Sequence, residues 1–361
     1  MQTPFIGQLE PAALLQHLRT HPPAGFALAS TVGGTPTFAT RFDLLTTADA
    51  PLRERIRGLP LYRVWGRLLR PRTRFIGATA SEYAWLPGSL EPAALAARLV
   101  KAHGREYPFL IVKDVLQDSP LLDARDNAYA DAFLQACRAA GFVLMAGQAL
   151  AWVPIDFADE DAYLARLSRG ARRDIRRKLR VRDQIAVETL ATGSAALCDP
   201  ATLDACVALY EQVYAQSEIH FDRLDGGFLR AVLSDPDCGG VVFVYRHEGR
   251  MIGWNLCFEH NGMLVDKYVG FDYPAARDFN LYAVSWMHNL GYARERGLTH
   301  YIAGWTDPEI KAHLGARFTF TRHAVRPRNR LLRALLRRIA PYFESDRNWH
   351  EQRTPDASRR S

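Results

Sequence analysis

Asp266-Lys-Tyr-Val-Gly-Phe-Asp-Tyr273, followed by a helix-like run from Asn280 and then by Gly304 to Gly315 with Lys311 inside it, is the stretch that decides the fold. Its alternation and punctuation predict a strand over 263–269, a polar loop over 270–279 and a helix over 280–296. A strand over 299–303, a short helix over 308–314 and a strand over 317–325 follow. Upstream, 240–246 and 251–259 read as two more strands. His247-Glu-Gly-Arg250 and His260-Asn-Gly262 join the three, and Asn-Gly between alternating runs is a hairpin signal, so an antiparallel meander is expected.

Further out, a helix is expected over 202–216 and another over 163–180, headed by Asp159-Glu-Asp161. Leu164, Leu167, Ala171, Ile175 and Leu179 fall at helical spacing and predict one buried stripe. Arg169, Arg172, Arg173, Arg176 and Arg180 take the other side. The N-terminal half alternates too. A hairpin is expected over 26–45 around Gly33-Gly34, partly helical chain over 51–69, and a strand over 74–79. Helices are expected over 91–103 and 129–140, each stopped by glycine, and strands over 107–112, 142–146 and 149–155.

At 361 residues the chain exceeds one typical domain. The reading divides it into an N-terminal domain over 1–157, a second over 158–326 headed by the basic helix, and a basic amphipathic helix with a disordered tail over 327–361. Five scattered cysteines without a Cys-x-x-Cys pair indicate neither a disulfide framework nor a zinc site, and fit a reducing cytoplasm. No signal-peptide pattern and no spanning apolar run is found, which predicts a soluble protein. The net charge of +7 is local: 322–361 holds eleven Arg against four acids, and 166–182 holds nine Lys or Arg against Asp174 alone. Nucleophilic catalysis lacks a Gly-x-Ser-x-Gly elbow, and the histidines lack metal-ligand spacing, so no metal is expected.

The strand, loop, helix, strand, short helix order from Met263 to Val325 resembles the acyl-donor half of the GNAT superfamily. Ile111-Val-Lys-Asp-Val115, Gly141-Phe142 and Leu164-x-x-Leu167-Ser168 leading into Arg172-Arg173-x-x-Arg176-Arg177-Lys178 is similar to the layout of Fem-type and BioF2-like predicted N-acyltransferases. The resemblance implies a mixed α/β fold of two tandem GNAT-like domains. It also implies transfer of an acyl group from acyl-CoA, or from acyl-phosphopantetheine on a carrier protein, to an amine, with no tightly bound cofactor. Two parallel strands would splay apart, the backbone at Val269 and Gly270 would hold the thioester carbonyl, and the pyrophosphate would meet the helix starting at Asn280. Arg277, Asn280, Tyr282 and Lys311 would sit around the donor. An ordinary helix start explains Asn280 and Tyr282 equally well.

One departure stands out: Asp272-Tyr-Pro-Ala-Ala-Arg-Asp-Phe-Asn280 replaces the glycine-rich phosphate loop of ordinary GNAT enzymes. Fem-type relatives without that loop use aminoacyl-tRNA, which keeps this donor, with a cell-wall precursor as acceptor, as the alternative. A non-catalytic module that binds nucleic acid or a membrane is the third reading. Glu218, His220, Asp222 and Asp266 are the candidate acceptors of the amine proton, His220 and Asp266 being preferred, and Tyr268 could protonate the leaving thiolate. The plainer readings are a solvated loop for the first three, a salt bridge to Lys267 for Asp266, and a core aromatic for Tyr268. Arg172, Arg173 and Arg176 lie on a face expected to lack acidic partners and therefore to seek an anion. The amphipathic run 331–339 has the pattern of a peripheral membrane contact, with packing onto the domain as the blander expectation.

Overall fold

A computed structural model describes residues 5–45, 50–217, 221–305 and 307–340. In chain order the elements are β1 (Phe5–Ile6), α1 (Ala12–Thr20), β2 (Ala27–Ser30), β3 (Pro36–Arg41), α2 (Ala50–Arg57), α3 (Tyr62–Trp65) and β4 (Arg72–Ile76). Next come β5 (Leu86–Pro87), α4 (Pro92–His103), β6 (Phe109–Gln117), α5 (Ala124–Ala139), β7 (Val143–Pro154), α6 (Glu160–Ala165), α7 (Arg169–Lys178) and β8 (Ala186–Ala191). The rest are α8 (Ala195–Cys198), α9 (Pro200–Gln216), α10 (Gly226–Leu233), β9 (Gly240–His247), β10 (Arg250–His260) and β11 (Met263–Phe271). The last are α11 (Ala275–Asp278), α12 (Leu281–Glu295), β12 (His300–Gly304), α13 (Pro308–His313), β13 (Arg317–Pro327) and α14 (Arg330–Ile339).

Two compact units form. The first draws on Met1–Gln8, Gly25–Ala149 and Thr319–Ser361, the second on Leu9–Ala24 and Leu150–Phe318. In the first, β2, β3, β4, β6 and β13 lie side by side, with β4–β6 parallel and the other pairs antiparallel. In the second, the order is β7, β12, β11, β10, β9, β8, with β12–β11 parallel and the rest antiparallel. Each unit thus contains one parallel pair joined by a helical crossover, α4 in the first and α12 in the second. The strand, helix, strand rhythm of the sequence is a repeated topology.

The meander β9–β10–β11 forms as its turns dictate. Glu248-Gly249 and Asn261-Gly262 all have positive φ, 48°, 78°, 49° and 73°, the backbone of a two-residue hairpin whose twist matches its strands. α12 buries Leu281, Val284, Trp286, Met287 and Leu290 together with Ser285 and Asn289. A helix covered on more than one side shows little amphipathic contrast.

Two expectations are corrected. The helix expected over 163–180 breaks into α6 and α7, because the Ser168 hydroxyl accepts from the Ala171 amide and caps a new helix. The stripe nevertheless packs: Leu164, Ala171, Ile175 and Leu179 are buried. The strands expected over 142–146 and 149–155 are one strand, β7, with Gly147 inside it, where a Cβ would lie 2.0 Å from Thr321 Oγ1. Gly104 stops α4 as expected, and does so in right-handed conformation, φ −68°. Its smallness matters for packing, since a Cβ there would meet the Val100 carbonyl at 2.6 Å. α1, β8 and α10 are elements the sequence reading did not mark. Residues 341–361, expected to be a disordered tail, lie outside the described residues.

Candidate active site

β11 and β12 start as a parallel pair, Met263 opposite His300, Leu264 opposite Tyr301 and Val265 opposite Ile302. There the pairing stops, although β11 runs on to Phe271. On its other edge β11 carries a bulge: Tyr268 faces Leu256 and Asp266 faces Cys257, so Lys267 is the extra residue. A bulge bends a strand and disturbs its ladder, and here it coincides with the point at which the two parallel strands part. The result is a wedge in the second unit, open past Val265 and Ile302.

At the base of the wedge, Asp266 is the hub of a polar network. Its Oδ1 accepts from Asn255 Nδ2 at 2.9 Å, and its Oδ2 accepts from Tyr301 Oη at 2.8 Å and from Asn289 Nδ2 at 3.2 Å. Asn289 also donates to Tyr301 Oη, and Tyr245 Oη donates to Asn255 Oδ1. Asn255, Asn289, Tyr301 and Tyr245 are all buried, at 2% exposure or less, so the bonds form where an unpaired polar group is costly. Burial, reinforced by the Asp266 charge, pushes the Tyr301 phenol well above its ordinary range. Burial first, then the Cys257 thiol and Asp266, does the same to Tyr245. Both hydroxyls therefore stay protonated donors.

At the other side stands Lys311. It is 4% exposed, and its ammonium is 3.9 Å from where a Cβ on Gly304 would project, at the end of β12. A lysine is rarely buried so deeply. Tyr282, at the start of α12, has its phenol raised by burial, then by Asp307 and Asp266, so it too sits in the field of Asp266. Two of the residues expected near the reacting atoms, Asp266 and Tyr282, thus share one electrostatic neighbourhood.

The remaining candidates fall as follows. Tyr268 is half-buried with its ring edge-on to Phe228 at 5.6 Å. Val269 is half-buried, and Gly270 owes its place to packing: a Cβ would lie 2.2 Å from Trp254 Nε1 and 2.9 Å from Leu209 Cβ. Asn280 holds the N-cap position of α12 with φ 50° and makes no side-chain cap. Arg277 is exposed and lies over the Tyr273 ring at 5.9 Å. Lys267 reaches the buried Glu10 carboxylate at 3.4 Å, a partner the sequence reading did not foresee. Asp222 is half-buried and helps raise the Tyr210 and Tyr214 phenols, behind burial as the larger cause. Glu218 and His220 lie outside the described residues.

The basic face is less starved of acids than its sequence suggests. Asp174 takes Arg177 at 2.6 Å, Lys178 at 2.8 Å and His313 at 3.1 Å. Hydrogen bonds from Lys178 and then Arg177 hold its carboxyl well below the ordinary range. Arg176 pairs with Asp161 and Arg182 with Glu160, both at 2.7 Å, so acids of α6 supply what α7 lacks. Among the described residues Arg172 and Arg173 form no ion pair. A cleft of about 370 Å³ opens beside the start of α7, where Arg166, Ser168, His313 and Arg317 line it; Arg172, Arg173 and Arg176 do not.

Among the described residues His17, Asp235 and Cys238 are the one group placed like metal ligands, within 4.8 Å of one another. His17 and Asp235 already bond each other at 2.6 Å, and burial pushes the Cys238 thiol up to about 12. A His17–Asp235 hydrogen bond inside the second unit, holding α1, accounts for the group.

The loop before α12 bonds most of its own amides. The amides of Asp272, Tyr273, Ala276, Arg277, Asp278, Phe279 and Asn280 all donate inside the chain, mostly within the α11 turn. A glycine-rich loop leaves such amides for phosphate; this loop spends them.

A model of the acetyltransferase (GNAT) domain family matches residues 169–312. Comparison with curated proteins gives no match in sequence. Among solved structures, L-PGS from Bacillus licheniformis superposes with a TM-score of 0.54 at 9% identity, over 96% of this chain and 99% of that one. The C-terminal domain of a putative lysylphosphatidylglycerol synthetase from Agrobacterium fabrum gives 0.52 at 15%, over 91% of each chain. FemX gives 0.52 at 14%, over 89% of this chain and 97% of that one. Residues 169–312 thus match the GNAT acetyltransferase domain family, and the chain shares its fold with these three structures.

Proposed function

We propose that the chain transfers an acyl group from a carrier-bound thioester to an amine by direct attack, in the wedge between β11 and β12. The observation that carries this reading is the parting of the two parallel strands at Val265 and Ile302 over the Asp266 network, with the Lys311 ammonium buried at its side. The donor's arm would lie in the wedge, its carbonyl against the β11 backbone near Val269 and Gly270. As the amine attacks, negative charge grows on the carbonyl oxygen, and fixed amides with a nearby ammonium favour that charge most where water is excluded. Asp266 receives the amine's proton, directly or through water, and Tyr268 gives one to the departing thiolate. No covalent enzyme intermediate is needed.

The spent amides of 272–280 favour a donor that is not held by its pyrophosphate. Within the thioester class this points to an acyl carrier protein before free acyl-CoA. The same observation supports a second reading, an aminoacyl-tRNA donor, and the putative lysylphosphatidylglycerol synthetase and FemX share the fold. The test is thiol release from acylated carrier protein and from acyl-CoA in the presence of a mixed amine panel, run beside transfer from charged tRNA. Thiol release dependent on amine supports the thioester reading. Transfer from tRNA with no thiol release would replace it.

A further inference from the structure

Among the described residues eight large apolar side chains are exposed, and seven fall in two segments of the first unit. α14 exposes Leu331 at 81%, Leu332 at 38% and Leu335 at 54%. These positions form one stripe of the helix, with Arg330, Arg333 and Arg337 on the side away from it. Leu336 is half-buried, so the helix packs in part as the blander reading expects, while this stripe stays in water. The second segment, expected as partly helical chain, runs from Arg53 to Arg72. It exposes Leu59 at 50%, Leu61 at 75%, Val64 at 71% and Leu68 at 79%. Its backbone is the end of α2, α3 and a 3-10 turn over Gly66–Leu69.

Charge identifies the partner. Arg53–Arg72 holds seven Arg and one acid, Glu54, while α14 holds four Arg, and no Asp or Glu occurs from Arg322 to Phe343. Arg55, Arg57, Arg63 and Arg67 are exposed beside the exposed leucines. A second copy of the chain would bring the same cations to a self-complementary contact and repel. A nucleic acid would satisfy the arginines and leave the leucines in water. An anionic lipid surface offers phosphate to one and acyl chain to the other. Tyr62 and Trp65, edge-to-face at 5.2 Å within the segment, are residue types that settle at the headgroup level. No helix among the described residues is long and apolar enough to cross a bilayer, so the contact lies in the interface plane.

We propose that the first unit docks on the surface of an anionic phospholipid membrane through α14 and the Arg53–Arg72 segment. The proposal stands on surface residues of the first unit and is independent of the donor reading.

The test is co-flotation of the full chain with phosphatidylcholine vesicles made with and without phosphatidylglycerol, at low and raised salt. Retention is expected on the phosphatidylglycerol vesicles and falls as salt rises. The pairs Leu61→Ser with Leu68→Ser, and Leu331→Ser with Leu335→Ser, are each expected to weaken it by about tenfold or more. Their circular dichroism should be unchanged, because these side chains are already in water. Three results would each overturn the proposal. One is no retention on anionic vesicles at low salt. Another is retention equal in both leucine pairs and the parent chain, which would be charge adhesion alone. The third is a leucine pair that abolishes self-association in light scattering without moving vesicle binding.

Discussion

Tyr301→Phe removes one oxygen from the base of the wedge and nothing else, so its cost can be worked bond by bond. The lost hydroxyl donates to Asp266 Oδ2 at 2.8 Å and accepts from Asn289 Nδ2 at 3.1 Å. A hydrogen bond to a charged group contributes about 1.5–3 kcal/mol and a neutral one about 0.5–1.5 kcal/mol. The Asn289 amide keeps its other bond, to Asp266, so part of the second contribution survives. The expected loss is about 2–4 kcal/mol, with the ring still edge-on to Trp286 at 5.2 Å. Asn289→Ala should cost a similar amount, and the double variant less than the two together, because they share partners. The assay is urea unfolding followed by circular dichroism and tryptophan fluorescence in parallel, since a chain of two units need not unfold in one step. A loss below about 0.5 kcal/mol for Tyr301→Phe, or strict additivity with Asn289→Ala, would refute the claim that these groups form one buried network.

Gly270→Ala should destabilise the second unit by about 2–4 kcal/mol, because its methyl would displace Trp254 from the Cys206 carbonyl it bonds at 2.9 Å; a urea midpoint unchanged from the parent would show that the contact yields freely. Lys311→Met, close in shape, should lower kcat by about a hundredfold or more and raise KM on whichever donor proves active, with the fold nearly unchanged. Equal kcat would remove Lys311 from the reaction. Burial lowers the pKa of His103, His260, His288, His300 and His323 below the ordinary 6.5. On acidification the unfolded chain therefore binds protons that the folded chain refuses, so this contribution to stability is present above 6.5 and declines below it. The urea midpoint should fall between about pH 7.5 and about pH 5.5, and His288→Phe should flatten the decline. An unaltered slope in that variant would show that His288 does not contribute.

The wedge was legible because its signals are local. Alternation in 263–269, Asn261-Gly262 and the helix after Asn280 fix strand, turn and crossover, and Lys311 stood out inside a short helix. What surrounds Asp266 was not legible, because Asn255, Asn289 and Tyr301 are far apart in sequence and meet only when β10, α12 and β12 are assembled. One signal was present: Asn255 interrupts the apolar run Trp254 to Phe258, and a buried amide inside such a run must find partners. The basic helix misled because its acids come from α6, in an element the reading had fused with α7. The Arg53–Arg72 segment was expected as partly helical chain, and its surface leucines were not legible because only exposure separates them from core.

The central claim is that the β11–β12 wedge holds an acyl donor, and native mass spectrometry of the full chain against acylated carrier protein, acyl-CoAs of graded length and charged tRNA tests it most directly. The account predicts retention of a phosphopantetheine-borne donor, with acylated carrier protein outcompeting acyl-CoA, and weaker retention in the Lys311→Met variant. Retention of no thioester at all, or of a thioester equally well by both proteins, would contradict it.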